Sequence, residues 1–286
     1  MAIALALTAM LFWGVGDFLI QKSTRVFGDI KTLFYITVIG AVLLAPFACT
    51  HLNNLSKPGS LFIILLTEGV IFLTSLVNLE ALRRGKISVI EPIYSCELII
   101  TMGLGAFVIK EMPTPLQFIL ILLVVCGIVL VSTNSSQKLK KNTMEKGVWL
   151  GLVAMVGLGT TNFLSGYGAR QTDPVFIVWF CSLLTAVITF FYLLTRMPLK
   201  EIFHLDKKER KLALWLGITD NIAWVAYAFS STFIPIAVAA GISESYIIIA
   251  LMLGLIFNKE KLKKHQWLGL ILALISVVVL AVVTDK

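Results

Sequence analysis

The sequence predicts an all-α membrane protein whose ten transmembrane helices form two five-helix repeats of inverted topology. Three observations predict it. Of 286 residues, 58% are hydrophobic and only 14% charged, with a mean hydropathy of +0.93, whereas soluble domains run at about 45–50% apolar and about 25% charged. The apolar residues gather into ten runs long enough to cross a bilayer, and one half of the chain resembles the other.

A run of about 20 apolar residues spans the hydrocarbon as a helix because a helix satisfies all its own backbone hydrogen bonds. Each run is bounded by charge, Pro, Gly or Asn. Ala2–Gln21 comes first. No basic flank precedes it, and Lys22, Ser23, Thr24 and Arg25 follow directly instead of a small-residue cleavage site, so it is a retained helix and not a signal peptide. Thr32–Thr50, Ser60–Leu82, Ile87–Ile109 and Pro115–Ser132 complete the first set, with Pro92 opening the fourth helix. The second set is Gly147–Ala169, Pro174–Thr195, Leu212–Thr232, Ile234–Phe257 and Gln266–Val283, with Pro235 opening the ninth helix. Residues 1–132 then form the first repeat, 133–146 a polar linker and 147–286 the second repeat.

The net charge of +8 does not mark a nucleic-acid partner, because the basic residues are scattered between apolar runs and not gathered on one solvated face. They set orientation. Lys and Arg number 3, 1, 3, 1, 4, 1, 6, 0 and 4 in the nine successive loops, and 1 in the tail. The odd-numbered loops hold 20 of the 24 and are therefore cytoplasmic, which places both chain ends on the other side of a cell (inner) membrane.

The segment Ala9-Met10-Leu11-Phe12-Trp13-Gly14-Val15-Gly16-Asp17-Phe18-Leu19 recurs 145 residues later as Ala154-Met155-Val156-Gly157-Leu158-Gly159-Thr160-Thr161-Asn162-Phe163-Leu164, and Arg25 meets Arg170. A second match, offset by 149, aligns Ile99-Ile100 with Ile248-Ile249, Leu104-Gly105 with Leu253-Gly254, Lys110-Glu111 with Lys259-Glu260, and Gln117 with Gln266. Each copy holds an odd number of spans, so the second enters the membrane upside down. Loop charge agrees: the basic loops of one copy correspond to the loops of the other that carry 1 and 0. Inverted repeats suit alternating access, since two pseudo-symmetric halves can exchange conformations around one central site.

With these residues in view, the chain resembles the EamA-type ten-helix branch of the drug/metabolite transporter superfamily over nearly its whole length. The resemblance rests on the paired halves, on Phe12-Trp13-Gly14 in the first helix, and on the tail of each half: Pro92, Gly105, Lys110-Glu111 and Gly127 in one, Gly241, Gly254, Lys259-Glu260 and Gly269 in the other. It implies a secondary transporter with a cavity between the halves, moving small organic metabolites. Related eukaryotic transporters are drawn with both ends cytosolic, whereas the loop charges here argue for the opposite.

Cys49, Cys96, Cys126 and Cys181 lie in or beside apolar runs without paired short spacing, and His51, His204 and His265 lie in separate loops. No disulfide, metal site, cofactor or enzymatic activity is expected from them. A hydrolase would need a nucleophile–base pair or an aspartyl pair in a glycine motif, which Asp17 and Asp220 lack. A channel would need a repeated filter or charged ring.

Seven of the 16 acids fall in or at the edges of the runs, namely Asp17, Glu68, Glu80, Glu91, Glu97, Asp220 and Glu244, while no Lys or Arg does. A charge at mid-membrane costs at least about 2.5–3.5 kcal/mol, so it persists where water, a proton or a cationic ligand relieves it. Glu80 and Glu91 read as local partners of the Arg83, Arg84 and Lys86 turn. The deeper acids have aromatic neighbours at helical spacing: Trp13 with Asp17, Tyr94 with Glu97, and Asp220, Trp224 and Tyr227 in one stripe. Glu244 and Tyr246 lie in the ninth span, where the repeat sets Tyr246 opposite Glu97 and Glu244 opposite Ser95. Asn162 takes the repeat position of Asp17, and Asn221 sits beside Asp220, both as neutral hydrogen-bonding partners.

Carboxylates with aromatic faces in a low-dielectric pocket suit an ammonium group through Coulomb attraction and cation–π contact. The expected substrate is a cationic or amine-bearing metabolite exchanged for protons through Asp17, Glu68, Glu97, Asp220 and Glu244. The alternative is an exporter of neutral or zwitterionic metabolites such as amino acids, with the acids serving as proton carriers. The expected partners are the substrate, protons and the lipid bilayer, in a monomer.

Overall fold

The computed structural model describes residues 1–84, 93–132, 141–249 and 262–284, and all regular structure among them is helical. In chain order the helices are α1 (Ala2–Phe27), α2 (Asp29–Ala48), α3 (Pro58–Arg84), α4 (Glu97–Val108), α5 (Pro115–Ser132), α6 (Lys141–Gln171), α7 (Pro174–Leu194), the short α8 (Leu199–Phe203), α9 (Lys207–Phe233), α10 (Ile236–Ser243) and α11 (Lys264–Thr284), with a 3-10 segment at Cys49–Ser56. Eight of these spans are long and apolar enough to cross a membrane, and two shorter apolar helices, Glu97–Val108 and Ile236–Ile249, stand with them. The fourth and ninth expected spans run into residues 85–92 and 250–261, outside the described residues, as do Glu91 and Pro92.

Helix ends extend past the apolar runs because polar turns continue the helix into water. In α6 the helix starts at Lys141, inside the stretch read as linker, and α9 starts at Lys207. Local chemistry fixes the starts. Asp173 caps α7 by accepting from Val175 N and Phe176 N, with Pro174 in the first turn, and Asp206 and Glu209 form a capping box at α9. Large apolar side chains such as Val42, Phe62, Leu73, Phe107 and Trp149 point outward, a surface matched to hydrocarbon and not to water.

The closest helix pairings each join the two halves of the chain: α3 with α6, α1 with α9, α2 with α7, and α5 with α11. Two glycines set the inner crossings. A Cβ on Gly14 would stand 2.5 Å from Ile249 Cβ and 3.1 Å from the Tyr246 carbonyl, and one on Gly159 would stand 2.6 Å from Ile100 Cβ and would strike the Glu97 carbonyl. These contacts correspond under the sequence offsets. Only a residue without Cβ lets α1 and α6 approach that closely.

The crossing helices share a second feature. Regular α-helical bonding lapses at Ser95-Cys96 and again at Glu244-Ser245. At the first, Cys96 N donates to Ile93 O and Ile99 N to Cys96 O; at the second, Ser245 N donates to Ile242 O and Ile248 N to Ser245 O. The first tightened turn leads into Glu97 and the second contains Glu244.

The last pair of helices repeats the pattern at its ends. Gln117 Oε1 accepts from Thr114 N and Gln266 Oε1 from Lys263 N, both at 2.9 Å. Their amide groups reach across, Gln117 Nε2 to Thr284 Oγ1 at 3.0 Å and Gln266 Nε2 to Val131 O at 2.9 Å.

Candidate functional site

The two tightened turns bring two carboxyl groups together. Glu97 opens α4 and Glu244 closes the first part of α10; they are 8% and 9% exposed. The two carboxyl groups are near enough to interact electrostatically, and Asn162 Nδ2 donates to Glu244 Oε1 at 3.0 Å. Two carboxyl groups share a hydrogen bond only when one of them holds a proton, because an ionised carboxylate only accepts. Glu97, in the first turn of its helix, also meets the positive end of the helix dipole.

Asn162 ties this pair to an aromatic cluster. The Tyr227 hydroxyl donates to Asn162 O at 2.9 Å, and the ring is fully buried. Trp13 stands at the centre, with ring centroids 5.0 Å from Trp224, 5.6 Å from Tyr227 and 6.2 Å from Tyr246. The Trp13–Trp224 planes lie at 81°, so an indole edge meets an indole face. Five chain segments contribute: α1, α4, α6, α9 and the turn that ends α10. Their side chains together offer negative charge, one amide and electron-rich ring faces.

Six of the expected residues thus converge with Glu97: Trp13, Asn162, Trp224, Tyr227, Glu244 and Tyr246. The others do not join them in the same way. Tyr94 is half-buried beside the first tightened turn, and Asp220 is half-buried one helical turn before Trp224. Asp17 lies in α1, but its side chain is outside the described residues. Asn221 faces α2, where its Nδ2 donates to Ile36 O at 3.1 Å and to Gly217 O at 2.8 Å. One step along α9 turns a side chain by about 100°, which separates Asn221 from the Asp220 stripe. Glu68 lies between α3 and α7, where its Oε1 accepts from Thr185 Oγ1 at 2.7 Å and its Oε2 is buried without a partner.

Two polar contacts were not legible as site features. Thr101 Oγ1 donates to Gly159 O at 3.0 Å, which holds α4 to α6 beside Glu97. Arg170 Nη2 meets Glu111 Oε1 at 3.0 Å. The signal for the second was the repeat itself, since both residues sit at positions where the two halves agree. Among the described residues, no group of three His, Cys, Asp or Glu side chains could hold a metal ion.

Comparison with known proteins agrees with this architecture. Residues 1–133 and 145–282 match the EamA-like transporter family. A protein of Methanocaldococcus jannaschii described as uncharacterized is 28% identical over 138 residues, which make up 47% of this chain and 98% of that one. A solved crystal structure of a protein superposes with a TM-score of 0.82 at 15% identity, covering 99% of this chain and 97% of its own, a likeness of fold. With its apolar spans and a family match along almost its whole length, the chain is an integral membrane protein that belongs to the EamA-like transporter family of the drug/metabolite transporter superfamily.

Proposed function

We propose that the protein is a secondary transporter that exchanges a cationic or amine-bearing small metabolite for protons by alternating access. The supporting observation is the Glu97–Glu244 pair held against Trp13, Trp224, Tyr227 and Tyr246. An ammonium ion entering there replaces the shared proton as the counter-charge, and ring faces stabilise it by about 0.5–2 kcal/mol each when desolvated. The cation and the proton therefore compete for one place.

In this reading the chain is ten helices in two inverted repeats, 1–132 and 147–286, joined by a polar linker. The matched glycine crossings, matched turns and matched Gln contacts support it, as does a relative about half as long, 98% of which is covered by 138 residues of this chain. The two halves rock about the crossing of α4 and α10, opening the acid pair to one face and then the other. One chain holds both halves, so the working unit is a monomer. Both ends lie outside the cytoplasm, as loop charge argues. Glu68, bonded across α3 and α7, acts as a proton carrier or interhelical tie away from the cation.

A zwitterionic metabolite such as an amino acid is the second reading. In it the acids act as proton carriers and the charges of the substrate balance each other. Flux in proteoliposomes under an imposed pH gradient separates the readings. The first predicts that quaternary ammonium ions and polyamines move against the proton gradient and raise the thermal stability of the protein. Movement and stabilisation by amino acids alone would sink it.

A further inference from the structure

Both chain ends lie on one face of the bundle. Ser230 Oγ donates to Ala2 O at 3.0 Å and Gln117 Nε2 to Thr284 Oγ1 at 3.0 Å, so the starts of α1 and α5 and the ends of α9 and α11 lie there. On that face Arg170, at the end of α6, donates from Nε to Ser231 O at 2.6 Å and from Nη2 to Ile234 O at 2.8 Å. The same guanidinium pairs with Glu111 Oε1 at 3.0 Å, while Glu111 Oε2 accepts from Ile236 N at 2.9 Å.

The chemistry of this clasp follows from the helix ends it joins. Ser231 and Ile234 supply carbonyls at the C-terminus of α9, which the helix itself leaves without donors, and Ile236 supplies an N–H at the start of α10, which lacks an acceptor. A guanidinium sits at the negative end of one helix dipole and a carboxylate at the positive end of the next. Glu111 comes from the first half of the chain, and Arg170 and both helix ends come from the second. The two side chains remain 22% and 24% exposed, so water can replace each contact when they part. Glu244 lies eight residues from Ile236, about 12 Å along the helix, so any movement of the start of α10 is felt at the acid pair. At the far end of the bundle Arg25, the repeat counterpart of Arg170, is exposed.

We propose that the Glu111–Arg170 clasp is the latch that seals the central site from the face bearing the chain termini, and that it parts when the site opens to that face. The inference rests on the alternating-access reading above. The latch holds α4, α6, α9 and α10 together by contacts strong enough to keep the face closed and hydrated enough to release.

The test measures access and not transport. In a full chain with Cys49, Cys96, Cys126 and Cys181 replaced, Tyr246→Cys reports on the site through labelling by a membrane-impermeant maleimide added to the terminus-bearing face. Glu111→Gln or Arg170→Gln is expected to speed labelling by about tenfold, the shift given by loss of one charge-assisted contact. A Glu111→Cys, Arg170→Cys pair, which replaces the two charges by a covalent tie once bridged with a short bifunctional thiol reagent, is expected to slow labelling from that face, while either single-Cys variant treated alike stays fast. Unchanged labelling in the neutral variants, or labelling that the bridge does not slow, overturns the latch. Faster labelling in a protein that moves no amine keeps the latch and removes the cation reading; amine exchange with unchanged labelling does the reverse.

Discussion

The crossing helices α4 and α10 are built alike and equipped differently. Each has a tightened turn with the same pair of main-chain bonds, and each passes under a glycine of a helix from the other half. Yet where α4 carries Glu97, α10 carries Tyr246, and where α10 carries Glu244, α4 carries Ser95. The backbone is a repeated device and the site made from it is not. Close packing constrains Gly14 and Gly159 alike, whereas the side chains at the turns differ, with Glu244 bonded to Asn162 and Tyr246 set against Trp13. The cluster therefore has one acid from each half and a phenol, Tyr246, from the second half alone.

Several substitutions break or sharpen that comparison. Replacing Glu97 or Glu244 with Gln removes the acid from one half while keeping its size. Each change is expected to reduce gradient-driven exchange to the level of protein-free liposomes, and a variant that still exchanges would separate the acids from coupling. Gly14→Val and Gly159→Val attack the shared scaffold instead. Each should lose about 1–3 kcal/mol of stability through overpacking, seen as lowered thermal unfolding in detergent. Similar losses at both positions fit the matched crossings; a large loss at one alone would argue against them.

Trp13→Leu probes the aromatic side of the pocket. The expected effect is a threefold to thirtyfold weaker binding of quaternary ammonium ions, the equivalent of about 0.5–2 kcal/mol of cation–π attraction, measured by calorimetry. The smallest effect is expected at Glu68→Gln. Its bond to Thr185 ties two helices outside the cluster, and such ties in membranes are worth about 0.6 kcal/mol on average. Ligand affinity should change less than twofold, and a larger change would draw Glu68 into the site.

Much of this was legible in the sequence, and the limits have physical causes. Apolar run length fixes spans, so the long helices were readable to within a turn or so, except where polar turns such as Lys141–Lys146 continue a helix beyond the hydrocarbon. Spacing along one helix places Trp224 and Tyr227 on one face with Asp220. It says nothing about which neighbour that face meets, so the convergence of Trp13, Trp224 and Tyr227 was expected only as a shared preference for a pocket. Glu68 and Asn221 expose the weakness of this reasoning. A buried acid or amide reads alike whether it lines a cavity or bonds a neighbouring helix, and Thr185 and Ile36 decide the matter from 117 and 185 residues away. The Glu111–Arg170 clasp was hidden for the opposite reason: loop charges near spans read as orientation signals, and only folding brings these two to one point.

The most direct test of the shared proton is proton release on binding. Purified protein in weak buffer is mixed with tetramethylammonium while a pH indicator follows the solution. If the cation displaces the proton held between Glu97 and Glu244, about one proton leaves per cation bound. Apparent affinity then falls as pH drops, by up to about tenfold per unit, because protons compete for the same pair. Glu97→Gln should abolish both effects. Cation binding that releases no proton and ignores pH, or release that survives in Glu97→Gln, would contradict the account.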